Sequence, residues 1–114
     1  MTFDESPRVV PRTEADQVVS VLTEAFFDYP VMRYVVGDLE PYEGHLRQLI
    51  EYFVAARFLR GETVLGVGPT ASLVGVALLS RPADGSTPQE LARRREALWR
   101  ELGHSARSRY ERFG

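Results

Sequence analysis

Apolar positions recur with two periods along the chain, and the changes between them mark out its elements. Ala15, Val18, Val19, Leu22, Ala25, Phe26 and Tyr29 return at helical spacing. They predict a first helix with Thr13 as N-cap and two acids, Glu14 and Asp16, at its positive end. Pro30 disfavours helical geometry at Tyr29, so that helix should end or kink there. Val31–Val36 is expected as one further short turn, closed by Gly37-Asp38. From about Glu40 a long helix is predicted. Leu46, Leu49, Ile50, Phe53 and Val54 mark its buried face, Arg47, Gln48 and Glu51 lie opposite, and Gly61 is its C-cap.

The period then shortens. Arg8–Arg12 is a short extended run, and because Pro11 lacks a ladder donor this strand should lie at a sheet edge or end at Pro11. Glu62–Val67 and Ser72–Ser80 are strand candidates, with Gly68-Pro69-Thr70-Ala71 as the turn of an antiparallel hairpin. Leu73–Leu79 is apolar on both faces, which predicts an interior strand covered on both sides. Arg81–Ser86 reads as a loop. Thr87 as N-cap, Pro88 at the first helical position and Glu90 at the third open another helix. Leu91, Leu98, Trp99 and Leu102 form its apolar face, and Arg93, Arg94, Arg95 and Arg100 its solvent face. Gly103 breaks it, and His104–Phe113 is expected as a short helical piece. Residues 1–6 read as a loose, flexible tail. The expected fold class is α+β, a small, mostly antiparallel three-stranded sheet packed with helices, in a single domain over residues 1–114.

Composition narrows the chemistry. The 114 residues are 44% hydrophobic and 26% charged, ordinary for a globular domain. Fourteen basic and sixteen acidic residues leave a net charge of -2, which gives no electrostatic reason to expect nucleic-acid binding. There is no cysteine, so disulfides, thiolate catalysis and Cys-ligated zinc are excluded. His45 and His104 have no partner at metal-ligand spacing. No apolar run approaches a membrane span, and the acidic start lacks the apolar region of a signal peptide. A cytoplasmic protein without membrane association is expected.

Four stretches together resemble the N-terminal half of the GNAT superfamily of N-acetyltransferases. Val10-Pro11-Arg12-Thr13-Glu14-Ala15-Asp16 is similar to the family's opening strand and its turn into the first helix. Leu22-Thr23-Glu24-Ala25-Phe26-Phe27-Asp28-Tyr29-Pro30-Val31-Met32-Arg33-Tyr34 resembles the LTEAFxDxPxxRW opening of one bacterial branch. The hairpin ending in Leu73–Leu78 is similar to the family's second and third strands, and Leu102–Phe113 to the helix before the fourth. The resemblance implies acetyl transfer from acetyl-CoA to an amine, which attacks directly without an acyl-enzyme. It also implies that the stretch with Phe27, Tyr29, Met32 and Tyr34 walls the acceptor cleft, with loop packing as the alternative for these four; Phe26 lies on the buried helical stripe and reads as core.

The family's acetyl-CoA site is a Q/R-x-x-G-x-G/A turn between a fourth strand and the next helix. There the backbone N–H groups meet a diphosphate at a helix N-terminus. Residues 82–114 contain only Gly85, Gly103 and Gly114, too widely spaced for that turn. Gly66-Val67-Gly68-Pro69-Thr70-Ala71 matches G-x-G-x-x-A, but a phosphate-binding turn must open a helix. Here Ser72–Val76 continues as a strand, and Thr63 stands where the family has Gln or Arg, so a hairpin turn is expected. The chain therefore reads as a truncated or split GNAT-type acetyltransferase, inactive alone, with no cofactor-binding residues of its own. The alternative is a non-catalytic assembly module that uses the free edge of strand 72–80. Its partner would be a second copy or a complementing C-terminal half.

No catalytic residue is assigned. Tyr42, Glu51 and Tyr52 on the second long helix are residue types that serve as general acid or base, but Glu51 reads as a solvated helix residue. His45 reads as a surface histidine, and His104-Ser105 as half of a triad with no third member. A hydrolase lacks a nucleophile–base pair to stand on. In Arg93-Arg94-Arg95, interleaved with Glu90, Glu96 and Glu101, intrahelical ion pairs are expected. Tyr110 is expected to pack.

Overall fold

The structure, a computed structural model, describes residues 7–68, 73–79 and 88–112. Over these the fold is α+β. It comprises β1 (Arg8–Val9), α1 (Ala15–Ala25), α2 (Pro30–Val36), α3 (Tyr42–Leu59), β2 (Val64–Val67), β3 (Gly75–Leu78), α4 (Gln89–Leu102) and α5 (His104–Glu111). The sheet order is β1-β2-β3, antiparallel throughout. Arg8 faces Gly66 in the first pair, and Val64 faces Leu78 and Val67 faces Gly75 in the second. The tail 1–6, the turn residues 69–71, Ser72, Ser80, the loop 81–86, Thr87 and Phe113 lie outside the described residues. No helix among those described is long and apolar enough to cross a membrane.

The core collects where the helical stripes meet β2. Val18, Val19 and Leu22 of α1, Val35 and Val36 of α2, Leu46, Leu49, Ile50 and Val54 of α3, and Val64 of β2 are buried in one cluster. Burying each such side chain contributes about 1.5–3 kcal/mol relative to leaving it in water. Leu98, Trp99 and Leu102 of α4 join the cluster, and α5 bridges α4 and α2. Tyr110 of α5 packs against Trp99 and Phe53, with ring centroids 5.3 and 5.9 Å apart, and its burial raises the pKa of its hydroxyl.

Glycine matters at three joints. After α3 the Gly61 N–H donates to Phe58 O (3.1 Å) and the Glu62 N–H to Arg57 O (2.8 Å). That is a Schellman ending, and it needs the left-handed φ of 68° that Gly61 adopts. Gly103, at φ 95° and ψ 165°, separates α4 from α5 in a region essentially closed to other residues. Gly66 is a packing glycine. A Cβ there would lie 2.6 Å from Val10 Cγ2 and 2.9 Å from Leu73 Cδ2.

Several boundaries differ from expectation. Thr13 does not cap α1; it sits inside a 3-10 turn, Arg12–Glu14, and α1 starts after it without a side-chain cap. Glu14 is not a dipole-facing surface acid but is 8% exposed, because Arg8 takes both its oxygens at 2.7 and 2.8 Å. The first helix stops at Ala25, which is exposed, and Tyr29 instead precedes α2 with extended geometry while Pro30 occupies the first turn. Pro41 holds the position before α3, so that helix opens at Tyr42 rather than Glu40. Pro88 likewise precedes α4, with ψ of 138°, and its carbonyl accepts the Ala92 N–H at 3.1 Å. The apolar run Leu73–Leu79 is not an interior strand. Among the described residues β3 pairs only with β2, and Val74 and Leu79 are 64% and 44% exposed. One side of β3 rests near α1, while its far edge has no described neighbour to cover it.

Candidate functional site

The junction of α1, α2 and α3 gathers much of the exposed chemistry. Two helices cannot run on through Pro30, so the chain turns at Phe26–Tyr29 and exposes Phe27 and Tyr29 at the corner. The Phe27 and Tyr42 rings meet edge to face, 5.1 Å between centroids and 73° between planes. The Tyr42 hydroxyl donates to Phe27 O at 2.6 Å. Arg33 lies over both rings, 4.7 Å from the Phe27 centroid and 4.0 Å from that of Tyr42, and its Nη2 donates to Asp28 Oδ1 at 3.0 Å. Such stacking contributes about 0.5–1 kcal/mol at an exposed site. Burial raises the pKa of the Tyr42 hydroxyl, against the lowering effect of nearby Arg33. The Tyr42 hydroxyl thus ties α3 to the Phe27 carbonyl at the corner.

Beside the corner, α1 and α3 enclose an open groove of about 470 Å³, lined by Ser20, Thr23, Glu24, Phe27, Asp28, Glu43 and Arg47. The α1 residues stand at positions i, i+3, i+4, i+7 and i+8, one continuous stripe of the helix and the turn that follows it. Arg47 is held by Glu51 at 3.3 Å and by Ser20 Oγ at 3.3 Å. Thr23 is 5% exposed, and its hydroxyl has no hydrogen-bond partner among the described residues.

The four expected wall residues are not gathered around this groove. Phe27 lines it. Tyr29 is 46% exposed and packs edge-on against Phe26 at 5.3 Å. Met32 packs against the core. Tyr34 faces α5, where its hydroxyl accepts from Arg112 Nη1 at 2.7 Å.

The remaining candidates settle into local pairings. The His45 Nδ1 donates to Pro41 O at 2.8 Å, since a carbonyl only accepts, and thereby closes the first turn of α3. His104 Nε2 meets Ser108 Oγ at 3.4 Å, one turn along, rather than Ser105. Arg94 pairs with Glu90 at 3.4 Å, and Glu51 holds Arg47. Tyr52 lines a second, smaller groove of about 320 Å³ between α3 and α4. Among the described residues no group of three His, Asp or Glu is placed to hold a metal ion. Two pairs were missed by the periodicity of the helices: the long-range Arg109–Asp38 at 2.6 Å, and Arg8–Glu14, six residues apart across the turn from β1 into α1. Each carboxyl is held below its ordinary pKa, first by the hydrogen bonds it accepts from its arginine.

The glycine pair of β2 does not suit a diphosphate. Gly66 faces inward, where Val10 and Leu73 fill the space a cradle would need. The chain beyond Gly68 returns antiparallel to β2, with the Val74 N–H on Val67 O at 2.8 Å. The described residues therefore do not fit the diphosphate of acetyl-CoA at this turn, and no step of acetyl transfer is derived from them. Comparison with protein-family models, curated proteins and solved structures found no match.

Proposed function

We propose that this chain forms the acceptor-side half of a GNAT-type N-acetyltransferase and transfers no acetyl group by itself. The observation that carries the reading is the sheet. Three strands run in sequential antiparallel order, β1-β2-β3, with α1, α2 and α3 inserted between the first and second. The order stops at a β3 edge with no further described strand. In a complete fold of that family a fourth strand would pair there and carry the diphosphate-binding turn. The stretch Leu22–Tyr34, which bears the sequence resemblance, folds as a helix end, an exposed aromatic corner and a proline-started helix. That placement suits a surface facing an acceptor amine.

The test is calorimetric titration of acetyl-CoA into the pure chain, and into the chain mixed with the C-terminal half of a GNAT acetyltransferase. Binding only in the mixture supports the proposal. A micromolar dissociation constant for the chain alone, or a mixture that forms no complex, overturns it.

A second reading is favoured by the apolar character of the same edge. Exposed Val74 and Leu79 flank backbone groups that can template another strand. On this reading the chain is a non-catalytic assembly module, with a second copy as its partner. Mass in solution decides it: a dimer populated at micromolar concentration supports self-pairing, and a strict monomer rejects it.

A further inference from the structure

We propose that α5 is a hinged latch, which swings open about Gly103 as one unit while the rest of the chain stays folded, and so uncovers Trp99 and Phe53. The hinge is a single residue. Gly103 joins α4 directly to α5 at φ 95° and ψ 165°, and a Cβ there would meet nothing within 4 Å. Its N–H closes α4 on Trp99 O at 2.8 Å, so α4 keeps its end when α5 leaves. Among the described residues no backbone hydrogen bond ties α5 to any element beyond Gly103. A hinge needs only such a position, where a few dihedral angles absorb the whole movement.

The latch itself is thinly held. Within α5 only Ala106 is buried, at 2% exposed. Tyr110 adds a partly buried ring against Trp99 and Phe53, at 5.3 and 5.9 Å between centroids. Two exposed side-chain bonds cross to α2 and the turn after it: Arg109 to Asp38 at 2.6 Å, and Arg112 to the Tyr34 hydroxyl at 2.7 Å. Exposed ion pairs hold weakly, and eight residues are too few to keep a helix in water without docking. Docking and helix are therefore lost together, which makes the opening all-or-none. By contrast, Leu46, Leu49, Ile50 and Val54 of α3 are at most 1% exposed, and α3 opens only with the core.

The experiment reads amide hydrogen exchange of the full chain by NMR, together with acrylamide quenching of Trp99, the chain's one tryptophan. Ser108, Arg109, Tyr110 and Glu111 should share one protection factor, at least about tenfold below that of Leu49 and Ile50. Asp38→Asn should speed all four alike, about two- to fivefold. Ala106→Glu keeps a good helix former but places a charge where α5 docks. It should strip protection from α5 and raise the quenching of Trp99, while α3 stays protected and the spectrum dispersed. Protection in α5 as high as in α3 overturns the proposal. Protection that declines residue by residue from Ser108 to Glu111 also overturns it, because that is ordinary fraying. So does an Asp38→Asn effect confined to Arg109, or an Ala106→Glu chain that unfolds throughout or keeps Trp99 shielded. None of these outcomes touches the acetyl-transfer reading, which acetyl-CoA titration tests.

Discussion

The inner face of α3 and the outer edge of β3 are both strongly apolar, yet they meet opposite fates. Leu46, Leu49, Ile50 and Val54 are at most 1% exposed, closed in by α1, α2, α4 and β2. Val74 and Leu79, flanking a strand of similar hydrophobicity, are 64% and 44% exposed. The difference lies in what the described chain supplies opposite each. A helix stripe is covered by elements the same chain brings to it, whereas no described residue pairs with the far edge of β3. Hydrophobicity fixes how much surface must be covered, and topology decides whether this chain can cover it.

The sharpest way to break that comparison is to cut into the closed side. Leu49→Ala should cost about 2–5 kcal/mol in denaturant unfolding, because the cavity is lined by packed neighbours that cannot collapse fully. A loss below 1 kcal/mol would mean the core under α3 is loose. Gly66→Val adds volume where Val10 and Leu73 already touch, and should cost about 1–3 kcal/mol with shifted signals on all three strands. Gly103→Ala has open space for the methyl but the wrong backbone; about 1–3 kcal/mol is expected from strain alone. Thermal melts read this loss, and an unchanged midpoint would show that α4 and α5 can rearrange freely.

The ion pairs that tie the sheet entry and α5 sharpen the picture through pH. Glu14 and Asp38 have pKa values lowered in the folded state by Arg8 and Arg109. Their stabilisation is therefore complete above the ordinary carboxylate range, near pH 4, and is lost as pH falls through the lowered values. Glu14→Gln should flatten the decline in melting temperature below about pH 4 relative to the parent chain. Equal slopes would remove Glu14 from the account. The smallest effect belongs to the open side. Leu79→Lys should change stability by no more than about 0.5 kcal/mol, while abolishing any self-association that ultracentrifugation detects in the parent.

Much of this architecture was legible because helical periodicity is local. The stripes of α1, α3 and α4, the Schellman glycine at 61 and the break at 103 follow from spacing and backbone chemistry within a few residues. The groove was half legible. Ser20, Thr23 and Glu24 already form a polar stripe beside the apolar one on α1, but nothing local says that Glu43 will face them. Arg109–Asp38 and Arg112–Tyr34 depend on how the helices are assembled, and Arg8–Glu14 on the turn between β1 and α1, none of which period-counting reaches. The reading of Leu73–Leu79 as an interior strand failed for the same reason. An apolar run reports a need for burial, not whether the chain meets it.

Backbone amide exchange at Val76 and Leu78 tests the open edge most directly. Ladder alternation turns these two N–H groups away from β2, since the Leu79 N–H is the one that reaches back to Thr63 O at 3.0 Å. In the chain alone they should exchange orders of magnitude faster than the Leu65 amide of the central strand. They should become protected when the C-terminal half of a GNAT acetyltransferase is added. Slow exchange at both positions in the dilute, isolated chain would show the edge already covered, and would contradict the account.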